Sequence, residues 1–207
     1  MNKERKKKET DERITLDWGL FIKPIDNILV HEGSPRGLAY NFSSVAYWLW
    51  TQYDAHMADM LCIAYHVYGV PKWEYRGEAV FLYSRPGADY VSWGRTCMVD
   101  ADGNETDSVP LCSGPLNIYR TEEGLFGGHL PIKKNGIAIV RNELTCLRLA
   151  ADIDNITFMA VSPVQELTAS MLSWFRGKQV SLLYTPEDKE EWERMGKAYN
   201  ISTYPLT

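Results

Sequence analysis

The chain has 207 residues, of which 45% are hydrophobic and 12% aromatic, enough for one ordinary core, so globally disordered and low-complexity classes are excluded. Its 22 Lys and Arg are outnumbered by 27 Asp and Glu, and because residues 1–13 hold six basic and four acidic groups, the rest carries −7. An acidic body argues against a domain that grips nucleic acid over a broad surface, since phosphate contacts require Lys and Arg.

Residues 1–13 read as a basic flexible arm, with Lys6, Lys7 and Lys8 as its candidate nucleic-acid contacts, and residues 14–207 as a single α+β domain. The start MNKERKKKE has no apolar segment and is not a secretory signal. Residues 14–40 are punctuated by Pro24, Gly33, Pro35 and Gly37, which predicts extended chain with a short strand or helix near 27–31. A long helix is expected over 44–68, capped by Ser43 or Ser44 and stopped by Gly69 and Pro71. On a helical wheel Gln52, His56, Asp59 and His66 fall within about 80° of one another. Apart from Thr51 and Asp54 the remaining circumference is apolar, so the helix is predicted to be buried from several sides. Neighbouring subunits would supply part of that cover, with Trp48, Trp50, Tyr53 and Met57 as candidate subunit-packing residues. The charged positions exclude a membrane span.

A β-rich middle follows over 77–142. Glu78–Ser84 reads as a strand, Arg85-Pro86-Gly87 as its turn and Ala88–Trp93 as its partner. Thr96–Asp100 and Glu105–Val109 flank an Asp102-Gly103 turn, a strong hairpin signal. Residues 110–135 read as an irregular loop, and Gly136–Arg141 as a strand. The C-terminal segment, 150–207, has a βαβα-like rhythm. Ile156–Val161 is a strand, a capped helix runs from Ser162-Pro163 to Phe175, Val180–Tyr184 is a strand, and Thr185 and Asp188 open a last helix. Strand–helix–strand–helix implies parallel pairing.

Chemistry-bearing patterns are sparse. His56, Asp59, Cys62 and His66 lie near one helical face, but histidines ten apart do not have metal-ligand spacing, and no metal or cofactor is predicted. Asp100, Asp102, Asn104 and Asp107 lack the Gly and Glu of a calcium loop, so a hairpin is the better account. Gly124-Leu125-Phe126-Gly127-Gly128 is not followed by Lys and Ser or Thr, as a phosphate-cradling loop requires. Four scattered cysteines with no CxxC pair read as buried thiols in a reducing compartment. No nucleophile or metalloprotease signature is present, so no catalytic residue is assigned and a non-enzyme is expected.

One pattern carries a family resemblance over about residues 40–142. A basic arm precedes the segment AYWLWTQYDAHMADMLCIAYHVYGVP. Then come Gly77-Glu78-Ala79-Val80-Phe81-Leu82-Tyr83-Ser84-Arg85-Pro86, aromatic β-material with Tyr90, Trp93 and Tyr119, and Asn135-Gly136-Ile137-Ala138-Ile139-Val140-Arg141-Asn142. This resembles the portal proteins (upper collar, or head–tail connector) of small short-tailed phages. The resemblance implies a homo-oligomeric ring in the virion or host cytoplasm, through which DNA is packaged and ejected. It also implies other virion proteins as partners and non-specific DNA contact through the arm. Two readings from other classes stand beside it: a small acidic α+β protein-binding module or inhibitor without catalysis, and an enzyme with an unrecognised site.

Overall fold

Along Ile137–Val140 the side chains enter two separate apolar clusters in turn: Ile137 and Ile139 one, Ala138 and Val140 the other. A strand buried on both faces reads as a continuous hydrophobic run, and it needs a helical layer on each side. The computed structural model, which describes residues 43–69, 77, 79–87, 92–110 and 123–206, supplies both layers. The protein is a mixed α+β fold.

The first helices are α1 (Ser44–Gln52) and α2 (Ala55–Ala64). The antiparallel strands are β1 (Tyr68–Gly69), β2 (Ala79–Ser84), β3 (Trp93–Val99), β4 (Glu105–Pro110) and β5 (Leu125–Phe126). Then follow β6 (Ile137–Val140), α3 (Glu143–Asp152), β7 (Thr157–Ala160), α4 (Ala169–Ser173), β8 (Val180–Tyr184), α5 (Lys189–Tyr199) and β9 (Ser202–Pro205). The described strands form one sheet in the order β4–β3–β2–β5–β7–β6–β8–β9, with β1 also paired to β2. Strand β5 joins the halves: it is antiparallel to β2 and to β7, whereas β7, β6, β8 and β9 run parallel.

Helices α1, α2 and α3 pack on one face, where Leu49, Leu61 and Leu147 meet Phe81, Phe126, Val140 and Phe158. The other face, around Ile139, Met159 and Leu182, is covered by Met171, Leu172, Phe175 and Trp192 from α4, α5 and the intervening turn. Gly103, at φ +82° in the β3–β4 turn, lies where any side chain would collide with the Trp48 indole, so that turn closes onto α1.

The βαβα rhythm and its parallel pairing match the expectation, and so do the Asp102-Gly103 hairpin and the strands at 137–140, 157–160 and 180–184. Three expectations are corrected. The continuous helix over 44–68 is two helices, because Tyr53 is extended and Asp54 caps α2 by accepting a hydrogen bond from the Met57 amide at 2.8 Å. An Asp suits that role better than a helix interior, since it can satisfy an orphan first-turn donor. The second helix also ends early, at Ala64. There the Val67 amide bonds Cys62 O and the His66 amide bonds Ile63 O, a Schellman close with His66 at φ +53° in the place usually taken by Gly. Trp50 points outward, 42% exposed, whereas Trp48 is 3% exposed in the core of its own chain. The helix expected from Ser162 begins only after Thr168, which caps the Met171 amide. The chain before it folds back through a Ser162–Gln165 turn. Elements α3, β5 and β9 have no counterpart among the expected elements.

Candidate functional site at the carboxyl edge

Helix α3 leaves β6 over one face, and α4 and α5 cover the other, so the carboxyl ends of β6 and β8 flank a topological switch point. Such a point is where open α/β sheets place ligands, because diverging helices leave a crevice there. Here it begins at Arg141, directly after β6, and Asp188, at the head of α5. Arg141 Nε lies 3.5 Å from Asp188 Oδ1, and Asp188 Oδ2 also accepts from the Thr185 hydroxyl at 3.0 Å. Arg141 Nη1 donates to the backbone carbonyl of Gln165 at 3.2 Å. Gln165 is 3% exposed, and both atoms of its side-chain amide are buried without a hydrogen-bond partner among the described residues. Ser84 Oγ, at the end of β2 on the same sheet edge, is also buried and unpaired among the described residues. Buried polar groups are nearly always satisfied, so unpaired ones at one edge call for a physical explanation.

A charged trio lies behind this edge. Arg95 on β3 is fully buried, with Nη2 2.6 Å from Glu143 Oε2 and Nη1 2.7 Å from Glu105 Oε1. The Tyr83 hydroxyl donates to the same Glu143 carboxylate, and Arg95 Nε is 3.1 Å from the Tyr83 oxygen. Strand pairing sets Phe81 opposite Arg95 and Tyr83 opposite Trp93, and Tyr83 stacks on Trp93 at 4.0 Å. Glu143 is placed by α3, whose N-cap Asn142 accepts from the Leu144 and Thr145 amides. Burial and the neighbouring Glu143 carboxylate push the Tyr83 phenol well above its ordinary range, so it stays protonated. Burial alone would lower the Arg95 pKa, but Glu143 and Tyr83 raise it, so the guanidinium stays charged. The trio ties the antiparallel half of the sheet to the first turn of α3. Sequence reading named none of Tyr83, Arg95, Glu105, Arg141, Glu143, Gln165 and Asp188 as site residues. The available signal was the Asn142 cap and the apolar Leu144 and Leu147 after β6, which mark α3 and hence the βαβ switch.

Of the residues singled out beforehand, Lys6, Lys7 and Lys8 lie outside the described residues. Tyr53 and Met57 are half-buried against the α1–α3 core. His56 and Asp59 lie on α2, His66 stacks on His129 at 4.0 Å, and Cys62 is buried. Among the described residues no group of three metal-ligating side chains comes together. Asp100 accepts the Asp102 and Asn104 amides, which lower its pKa and close the hairpin turn. Cys62, Cys97 and Cys146 are free and buried, and desolvation pushes the first two up to about 12. No described helix is long and apolar enough to cross a membrane.

A second concavity, about 410 Å³, lies between α2, α3 and the 130–133 turn, lined by His56, Met57, Met60, Leu61, Leu130 and Ala150. Met60, Ile63, Ile132 and Ile153 are exposed on the elements that form it.

No family model matches the chain, and no curated protein matches it. Among solved structures, a chain from a bacteriophage T7 lagging-strand DNA polymerase complex, with primase domains bound to an RNA/DNA hybrid and dTTP, aligns with TM-score 0.40 and 13% identity. The alignment covers 60% of this chain and 53% of that one, so the protein spans about half the length of the chain it matches. The resemblance to portal proteins is corrected: the long helix that anchored it is two helices, the second ending at Ala64.

Proposed function

We propose that the protein is a binding module without catalysis of its own, and that its ligand site is the carboxyl edge of the parallel half-sheet between β6 and β8. The observation that carries this reading is the Arg141–Asp188 pair spanning the switch point, with Arg141 Nη1 donating to the backbone carbonyl of Gln165. The charged groups there are spent on one another. Glu143 is sealed against Arg95, and Asp188 is held by Arg141 and Thr185, which favours recognition over proton transfer. A fragment screen read by backbone amide shifts tests it. Hits should cluster at 141–143, 162–168 and 184–188, and a screen in which no fragment moves those amides would refute the assignment.

The concavity between α2 and α3 supports a second reading, a docking groove for an apolar helix of a partner protein. Methionines adapt to varied partners, and Met57 and Met60 both line it. Hits clustering at 56–64 and 130–133 would favour this reading over the first.

A further inference from the structure

We infer that the amino edge of the parallel half-sheet holds a further site, which takes a small phosphomonoester carrying a flat ring. It lies at the opposite ends of the strands from the carboxyl edge and does not depend on that reading.

Adjacent parallel strands bring together the turns that lead into them. The chain leaves α4 at Ser173 and turns back through Gly177, at φ +78°, to enter β8 at Val180. Helix α5 closes on Asn200, left-handed at φ +54°, and the chain enters β9 at Ser202, opposite Ser181. A concavity of about 430 Å³ opens between these two turns, a size that suits a small-molecule site. Leu172, Phe175 and Val180 give it a buried apolar lining, while Arg176, Lys178 and Tyr199 line it from exposed positions.

The charge of this lining is opposite to that of the chain around it. It holds two cations and no carboxylate, although the residues after 13 carry −7. Among the described residues neither Arg176 nor Lys178 forms an ion pair, whereas Arg95 and Arg141 are both spent on carboxylates. A hollow of about 520 Å³ continues past Asn200 along α5, where Lys197 adds a third cation. The one carboxylate lining that hollow, Glu193, accepts from the Tyr184 hydroxyl at 3.0 Å. A phosphomonoester carries about −1.5 to −2 at neutral pH, which two cations balance, whereas a carboxylate would answer only one of them. Guanidinium meets phosphate through two parallel N–H groups, and ammonium meets it as a point charge. The apolar lining and the Tyr199 ring call for a flat hydrophobic body on the same molecule.

The test titrates the ¹⁵N-labelled full chain separately with adenosine monophosphate, phenyl phosphate, adenosine and inorganic phosphate. The two esters should give saturable shifts of the backbone amides of 173–180 and 199–203, with dissociation constants on the order of 0.1–1 mM. The tighter of the two tells a nucleotide from a simpler aryl ester. Adenosine and inorganic phosphate should each bind about tenfold more weakly or worse, because each meets only half of the lining. Arg176→Ala combined with Lys178→Ala should weaken ester binding by a similar factor and leave the thermal midpoint unchanged, since both side chains are exposed. Arg176→Lys combined with Lys178→Arg, which keeps both charges, should retain most of the binding. Undiminished binding in the alanine variant overturns the inference. So does adenosine or inorganic phosphate binding as tightly as the esters, a set of shifts confined to other amides, or silence from all four probes. The carboxyl edge is read separately, at 141–143, 162–168 and 184–188, so either site can fail without the other.

Discussion

The two halves of the sheet handle charge in opposite ways. In the antiparallel half a guanidinium, two carboxylates and a phenol lie among aromatic rings, with Arg95 and Glu143 fully buried. In the parallel half the strands are flanked by hydrocarbon on both faces, and the ion pair of Arg141 and Asp188 sits at the carboxyl edge, partly open to solvent. The difference assigns different work to similar residues. A sealed trio repays its desolvation only while every member is present, so it locks the two halves in register. An edge pair contributes little to stability, is reachable and can recognise something. Function is therefore expected where charge is cheap to rearrange.

Glu143→Leu leaves Arg95 in the core with Glu105 as its remaining carboxylate and should cost about 3–5 kcal/mol in denaturant unfolding, whereas Arg95→Met combined with Glu143→Leu should recover most of that loss. If the double variant is no better than the single one, the trio is not acting as a unit. Removing the edge pair by Asp188→Asn should change stability by less than about 1 kcal/mol.

Next in size is the contrast within α1. Trp48→Ala empties a packed site over Gly103 and should cost about 3–5 kcal/mol, while Trp50→Ala, at an exposed position, should cost less than about 1 kcal/mol. A large loss at Trp50 in a concentration-dependent melt would mean that a neighbouring subunit covers it.

The smallest effect is at the end of α2, where His129 Nε2 meets the Ala64 carbonyl at 2.8 Å. Burial holds this imidazole below its ordinary 6.5. The unfolded chain therefore takes up the proton first, and stability should decline as pH falls below about 6.5, then return at neutral pH. His129→Gln, which keeps a donor, should flatten that slope at an expense of about 1 kcal/mol at pH 7. An unchanged slope would assign the titration to another group.

The legible parts of the fold were those set by local pattern. The runs at 137–140 and 180–184, the Asp-Gly turn and the strand–helix alternation after 150 all follow from neighbours in sequence. The break at Asp54 was hidden because Asp interrupts an apolar stretch whether it faces solvent mid-helix or caps a new helix, and only the Met57 amide decides. The early close at His66 was hidden because the left-handed position is normally read from Gly, and Gly69 stood ready nearby. The site was scarcely legible. Glu143 lies 48 residues from Arg95 and 60 from Tyr83, and only the β5 bridge between half-sheets brings them together. Gln165 fell inside the helix expected from Ser162, so its burial beside Arg141 had no sequence signal.

High-resolution crystallography of the protein with and without a soaked fragment cocktail tests most directly whether the carboxyl edge is the ligand site. Ordered fragment density within hydrogen-bond reach of Arg141 or Asp188 is expected in the soaked crystal, with their ion pair at the switch point. Fragments ordered elsewhere on the protein, with none at that edge, would contradict it.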